Sequence, residues 1–182
     1  IYVYDVVVST GVVDPAAAVD EQTQSTLKFT TLKLKHKMTG HHSYITHFDF
    51  TADSLHLQSN CGAYELLYWD LETGKQLPGG ASQLKDAEWA TWTCTLGWPV
   101  QGIWPSAADG TDINAVDRSK DGRLVATADD FGKVKVFNYP CVEPGWRYQE
   151  YAGHSSHTTA VVFSEVFKDL ANPRPRGAAS CV

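Results

Sequence analysis

The sequence predicts an all-β fold assembled from repeated short sheets. Three observations carry that prediction. Strand-like runs of five to eight residues recur along most of the chain, separated by turn residues. One pattern returns: Gly40-His41 is followed by Ile45, Phe48 and Phe50, and Gly153-His154 by Thr158, Val161 and Phe163. Apolar residues make up 43% and aromatics 12% of 182 residues, enough for a packed core.

In chain order, "IYVYDVVV" begins in mid-strand, which predicts that residues 1–10 end a preceding repeat of a longer protein. Residues 11–26, small and polar with Pro15 and an alanine run, predict a loop insertion. "TLKLKHKM" alternates lysine with leucine or histidine, the period of a half-exposed strand. "YITHFDF", "SLHLQSN" and "YELLYWD" predict three more strands, and "LETGKQLPGGAS" a loop. "ATWTCTLGW" alternates threonines with Trp92, Cys94, Leu96 and Trp98, predicting a strand whose tryptophans face the core. "DINAV", "RLVATA", "KVKVFNY" and "HTTAVVFS" continue the rhythm to Ser164. Residues 165–182, with two prolines and two arginines, predict an irregular tail and an alternative or truncated end.

Gly-His, a strand, a turn, two strands and an aromatic-Asp pair (here Trp69-Asp70) resembles the WD repeat, which builds most of one blade of a β-propeller. "GHHSYITHFDF", "AYELLYWD", "TCTLGWPVQGIWPSAADGTDINAV", "ATADDFGKVKVFNYP" and "GHSSHTTAVVFS" are similar to consecutive blades of the echinoderm microtubule-associated protein-like family, the "LGWPVQGIWP…DGTDIN" block most specifically. The resemblance implies a partial propeller of about two to three blades over 27–164. It also implies a hydrogen-bonded network in which His41, Ser59 and Trp69 take the family's positions. The pattern's turn aspartate is missing: Ala63 stands six residues before Trp69, which predicts a weakened clamp. In the next copy Thr127 with Asp129 or Asp130 can serve, without a histidine; Gly153 and His154 open the last one.

Function classes narrow in the same way. A formal charge of −6 argues against nucleic acid or an anionic membrane as partner, and no apolar run reaches the roughly 18–20 residues of a membrane span. Cys61, Cys94, Cys141 and Cys181 contain no CxxC pair and predict free thiols in a reducing compartment. His41, His42 and His47 lack the spacing of a metal site, so no metal or cofactor is expected. Ser43, His47 and Asp49 are close in sequence, but a strand need not converge them into a triad, and "DDFG" at Asp129 has no accompanying catalytic loop, so no enzyme is expected. From Leu27 to Phe48 there are four lysines and no acidic residue. Lys33, Lys35 and Lys37 either protect a sheet edge or meet an acidic filament. Trp89, Trp92 and Trp98 are expected in the core, and Trp104 as the exposed exception that touches a partner. The resemblance implies tubulin and microtubules as partners, other cytoskeletal proteins besides, and a location on the cytoskeleton in the cytoplasm. The alternatives are a general protein-interaction scaffold and, from another class, a metal-dependent hydrolase at the histidines.

Overall fold

A computed structural model describes residues 1–11, 27–164 and 179–181. The chain divides into two compact units, Ile1–Thr39 and Gly40–Val182.

In the first unit, β1 (Tyr2–Gly11) and β2 (Leu27–Lys37) form an antiparallel pair with a bulge after Val3. The segment expected to end a preceding blade, 1–10, is thus paired with the lysine-bearing strand. The valine-rich β1 has the β-branched residues that favour a strand, and the alternating β2 is its partner. Residues 12–26 of the expected insertion lie outside the described residues.

The second unit holds three antiparallel sheets. One has the order β3 (Ile45–Phe50), β4 (His56–Cys61), β5 (Leu66–Asp70). Another has β6 (Ile113–Arg118), β7 (Leu124–Asp129), β8 (Lys133–Asn138), β9 (Tyr148–Ala152). The third pairs β10 (Val161–Phe163) with β11 (Ala179–Cys181). Of the expected irregular tail, 165–178 and 182 lie outside the described residues, and 179–181 are this strand.

The first two sheets repeat position by position. Ile45 pairs with Cys61 as Ile113 pairs with Asp129, and both ladders slip just after that pair. Ser59 pairs with Leu67 and Leu57 with Trp69, as Thr127 pairs with Lys135 and Val125 with Phe137. These are successive blades of a partial β-propeller. After β5 the chain folds back, Leu77 N–H donating to the Tyr68 carbonyl at 2.8 Å, and enters a short helix, α1 (Gly80–Gln83).

The stretch expected as a strand over residues 90–98 is not one. It is an extended linker that ends in a 3-10 helix, Trp98–Ile103. The turn into that helix needs Gly97: its φ is +126°, and a Cβ there would lie 2.6 Å from the Trp92 ring. The core between the blades is built from Trp92, Val100, Ile103, Val125, Phe137 and Cys141, and a smaller cluster packs Ala126, Ala128 and Val134 against Val161. Trp98 is 62% exposed, whereas Trp104 is half-buried against the core with its indole N–H donating to the Thr95 carbonyl at 3.0 Å. The exposed exception is thus Trp98, because the 3-10 turn rotates it outward while Trp104 follows the turn back inside.

Candidate functional site

His41 enters from the loop before β3 and meets β4 and β5 at their shared end. Its Nε2 lies 2.7 Å from Ser59 Oγ, and Trp69 Nε1 donates to the same oxygen at 2.8 Å. Ser59 and Trp69 are buried. Gly40 lets the chain reach this position, since a Cβ there would sit 3.0 Å from the Trp69 ring. Asp70 caps the following turn, accepting from Thr73 N–H at 2.7 Å and Thr73 Oγ1 at 2.9 Å.

Ala63 lies exposed in the hairpin turn, and the nearest acid is two residues further on. Glu65 accepts from His42 N–H at 2.9 Å and from the Cys61 thiol at 3.3 Å, and its other oxygen is 2.5 Å from His42 Nδ1. Its Oε2 is also 3.4 Å from His41 Nδ1, an ion-pair distance too long for a good hydrogen bond. Glu65 thus approaches the place of the missing aspartate, but its hydrogen bonds go to His42 and Cys61 and His41 Nδ1 is left without a hydrogen-bond partner. The His42 backbone and side chain, then the Cys61 thiol, hold the Glu65 carboxyl down at about 2. Burial lowers the His41 pKa, opposed by Glu65.

The next blade solves the same position differently. Asp129, 2% exposed, stands where Cys61 stands, and accepts from Phe131 N–H, Lys133 N–H and Lys135 Nζ at 2.9–3.0 Å. Thr127 occupies the place of Ser59, and Phe137, with no N–H to donate, that of Trp69. Asp130 instead points to the following segment, accepting from Asn114 Nδ2 at 2.7 Å and lying 2.7 Å from His157 Nδ1. His154 is exposed, and Gly153 with it, so this second Gly-His is not drawn into a network like that of His41.

One site residue escaped the sequence reading. Asp49 is 1% exposed on β3 and accepts from Gln58 Nε2 at 3.1 Å, Thr91 Oγ1 at 2.6 Å, Thr93 N–H at 2.8 Å and Cys94 N–H at 3.0 Å. This carboxylate supplies the partners that a neighbouring strand would give the 91–98 linker, which is why its alternation makes no ladder. Asp117, at the matching place on β6, accepts from Phe163 N–H at 2.6 Å, so each blade's first strand uses an aspartate to hold the segment that follows. The repeated "Asp" four positions after Ile45 and Ile113 was the available signal.

Two surfaces are open to partners. On β2, Lys33, Lys35 and Lys37 are exposed at alternate positions, with Asp5 across the ladder from Lys33. In the second unit, a groove of about 810 Å³ is walled by Tyr68, Trp89, Trp92, Trp98 and Tyr139, with Arg118 over the Tyr139 ring at 5.4 Å. Arg118 is fixed there by donating to the Trp89 carbonyl at 2.6 Å.

Comparison with known proteins adds to this geometry. The family model of the echinoderm microtubule-associated protein second β-propeller matches residues 16–171. The chain is 52% identical over 129 residues to the 77 kDa echinoderm microtubule-associated protein of Lytechinus variegatus, covering 71% of this chain and 19% of that protein. It is 55% identical over 127 residues to echinoderm microtubule-associated protein-like 2 of Mus musculus, covering 70% and 19%. To echinoderm microtubule-associated protein-like 4 of Mus musculus it is 52% identical over 128 residues, covering 70% and 13%. The chain thus spans a fifth or less of the length of these relatives.

Proposed function

The chain belongs to the echinoderm microtubule-associated protein family, as part of its second β-propeller, and on that footing we propose that it is a non-catalytic, microtubule-associating part of a longer protein. The observation that carries the reading is identity above one half, over about 70% of the chain, to relatives named for microtubule association. In this reading the propeller binds tubulin polymer in the cytoplasm and modulates its assembly. Lys33, Lys35 and Lys37 supply a local positive surface on a chain whose formal charge is −6, a balance that disfavours nucleic acid and anionic membrane as partners. Among the described residues, no helix is long and apolar enough to cross a membrane. The absence of catalysis is argued from use: His41 and Ser59 are committed to Trp69 inside a blade rather than to a reacting group.

Sedimentation of the full-length protein with polymerised tubulin tests this. Saturable recovery in the pellet is expected, and retention in the supernatant at micromolar polymer would contradict it. The second reading, a scaffold without tubulin contact, is favoured by the aromatic groove and its exposed Trp98. It predicts that Trp98→Ala releases another cytoskeletal protein while microtubule sedimentation stays at background.

A further inference from the structure

The geometry points to a binding site for a thiophilic divalent cation, zinc above all, formed by His41, Cys61 and Glu65 at the turn end of the β4–β5 hairpin. His41 Nδ1, Cys61 Sγ and a Glu65 carboxylate oxygen all lie within 4.8 Å of one another. These are the nitrogen, sulfur and oxygen donors that zinc accepts, and the set is unsuited to calcium or magnesium, which take oxygen. Sequence spacing hides the site: the three histidines suggest a cluster among themselves, whereas the fold takes only the first and brings Cys61 and Glu65 to it across the blade.

A second observation sets this cluster apart from an ordinary polar contact. The His41 side chain is only 5% exposed, yet its Nδ1 has no hydrogen-bond partner. A buried nitrogen left that way costs on the order of 1–3 kcal/mol, and native structures rarely leave one without a reason. Nε2, the other ring nitrogen, is held 2.7 Å from Ser59 Oγ, which Trp69 Nε1 fixes in turn. That is how ligating histidines are oriented: one nitrogen anchored behind, the other presented with its lone pair. In the tautomer that carries its proton on Nε2, toward Ser59, Nδ1 faces the thiol and carboxylate as a free base.

The other two donors are arranged to match. Cys61 is buried and its thiol already points to Glu65 Oε2 at 3.3 Å. Cation binding would take the place of that proton: the S–H bond breaks, the proton leaves to solvent, and the thiolate and carboxylate share the metal instead of a hydrogen. His42 Nδ1, 2.5 Å from Glu65 Oε1, holds the far oxygen, while Oε2, which also accepts from His42 N–H at 2.9 Å, offers its second lone pair to the cation. Glu65 is 26% exposed, so ions enter from its side, and a water completes a tetrahedral set. In the next blade the place of Cys61 is taken by Asp129, whose partner is the half-buried Lys135 ammonium at 2.9 Å. A covalently built cation fills in one blade the position the proposed metal fills in the other.

The test uses the full-length protein, purified without chelator, as parent, Cys61→Ser and Glu65→Gln. Elemental analysis is expected to find one more zinc per chain in the parent than in Cys61→Ser. After zinc is removed, Co²⁺ titration should give a near-ultraviolet thiolate-to-cobalt absorption band in the parent that is absent from Cys61→Ser. Glu65→Gln should need at least about tenfold more Co²⁺ to reach half the band, since a neutral amide is a far poorer ligand. Equal zinc in parent and Cys61→Ser, with no Cys61-dependent band, would overturn the site. Should Cys61→Ser not fold, Glu65→Gln decides alone: a titration identical to the parent's would overturn it equally.

Discussion

Replacing Asp49 with alanine should loosen the linker between the blades. The carboxylate has four donors, and two of them, Gln58 Nε2 and Cys94 N–H, belong to residues with no solvent exposure. Thr91 is exposed and Thr93 half-buried, so water replaces much of what those two lose. Two stranded buried donors at about 1–3 kcal/mol each, less the relief of no longer burying a carboxylate, give a local loss of about 2–4 kcal/mol. Hydrogen exchange read by mass spectrometry on the full-length protein is the suitable assay, because it isolates this opening from unfolding of other domains. Peptides holding Thr93 and Cys94 should exchange about 30- to 1,000-fold faster in Asp49→Ala. Asp117→Ala should speed the Phe163 region far less, since that half-buried carboxylate holds a single linker amide. Less than about threefold acceleration at Thr93 and Cys94 would refute the view that Asp49 pins the linker.

Two further outcomes follow from Glu65, both in metal-free buffer. Ala63→Asp should give no gain, or up to about 1 kcal/mol of loss, because the new acid sits beside an ionised Glu65; with Glu65→Gln in the background it should gain about 1 kcal/mol. Equal effects in both backgrounds, read by urea denaturation, would show that Glu65 is not coupled to position 63. Glu65 has its folded pKa depressed from 4.5 to about 2, so its contribution is present above about pH 4.5 and is lost as pH falls toward about 2. The stability difference between parent and Glu65→Gln should therefore shrink through that window, and a constant difference would contradict the pairing with His42.

What the sequence allowed and withheld follows from where each element finds its partners. β3 to β8 were legible because their alternation or short apolar runs match strands that pair with neighbours in the chain. β9 was not, because Tyr148–Ala152 has no buried residue and so no apolar face to reveal it. The 91–98 linker misled for the opposite reason: it has a strand's alternation, with Trp92 and Cys94 buried, but its amides go to a side chain from another blade. In the sequence Asp49 enters only as a triad candidate, yet it is buried while the flanking Phe48 and Phe50 are exposed. Glu65 was hidden because a repeat template inspects position 63, whereas Glu65 reaches His42 and Cys61 from two residues further on.

The account holds that this segment itself meets the microtubule, and a salt series of sedimentation tests that most directly. Lys33, Lys35 and Lys37 are exposed on β2, and exposed charge pairs contribute about 0.2–1 kcal/mol each. Changing all three to glutamine in the full-length protein should weaken binding to polymerised tubulin by about threefold to a hundredfold at low salt. The gap should close as salt rises, since screening removes the same attraction from the parent. Identical dissociation constants for parent and variant at low salt would contradict the claim and return these lysines to guarding a sheet edge.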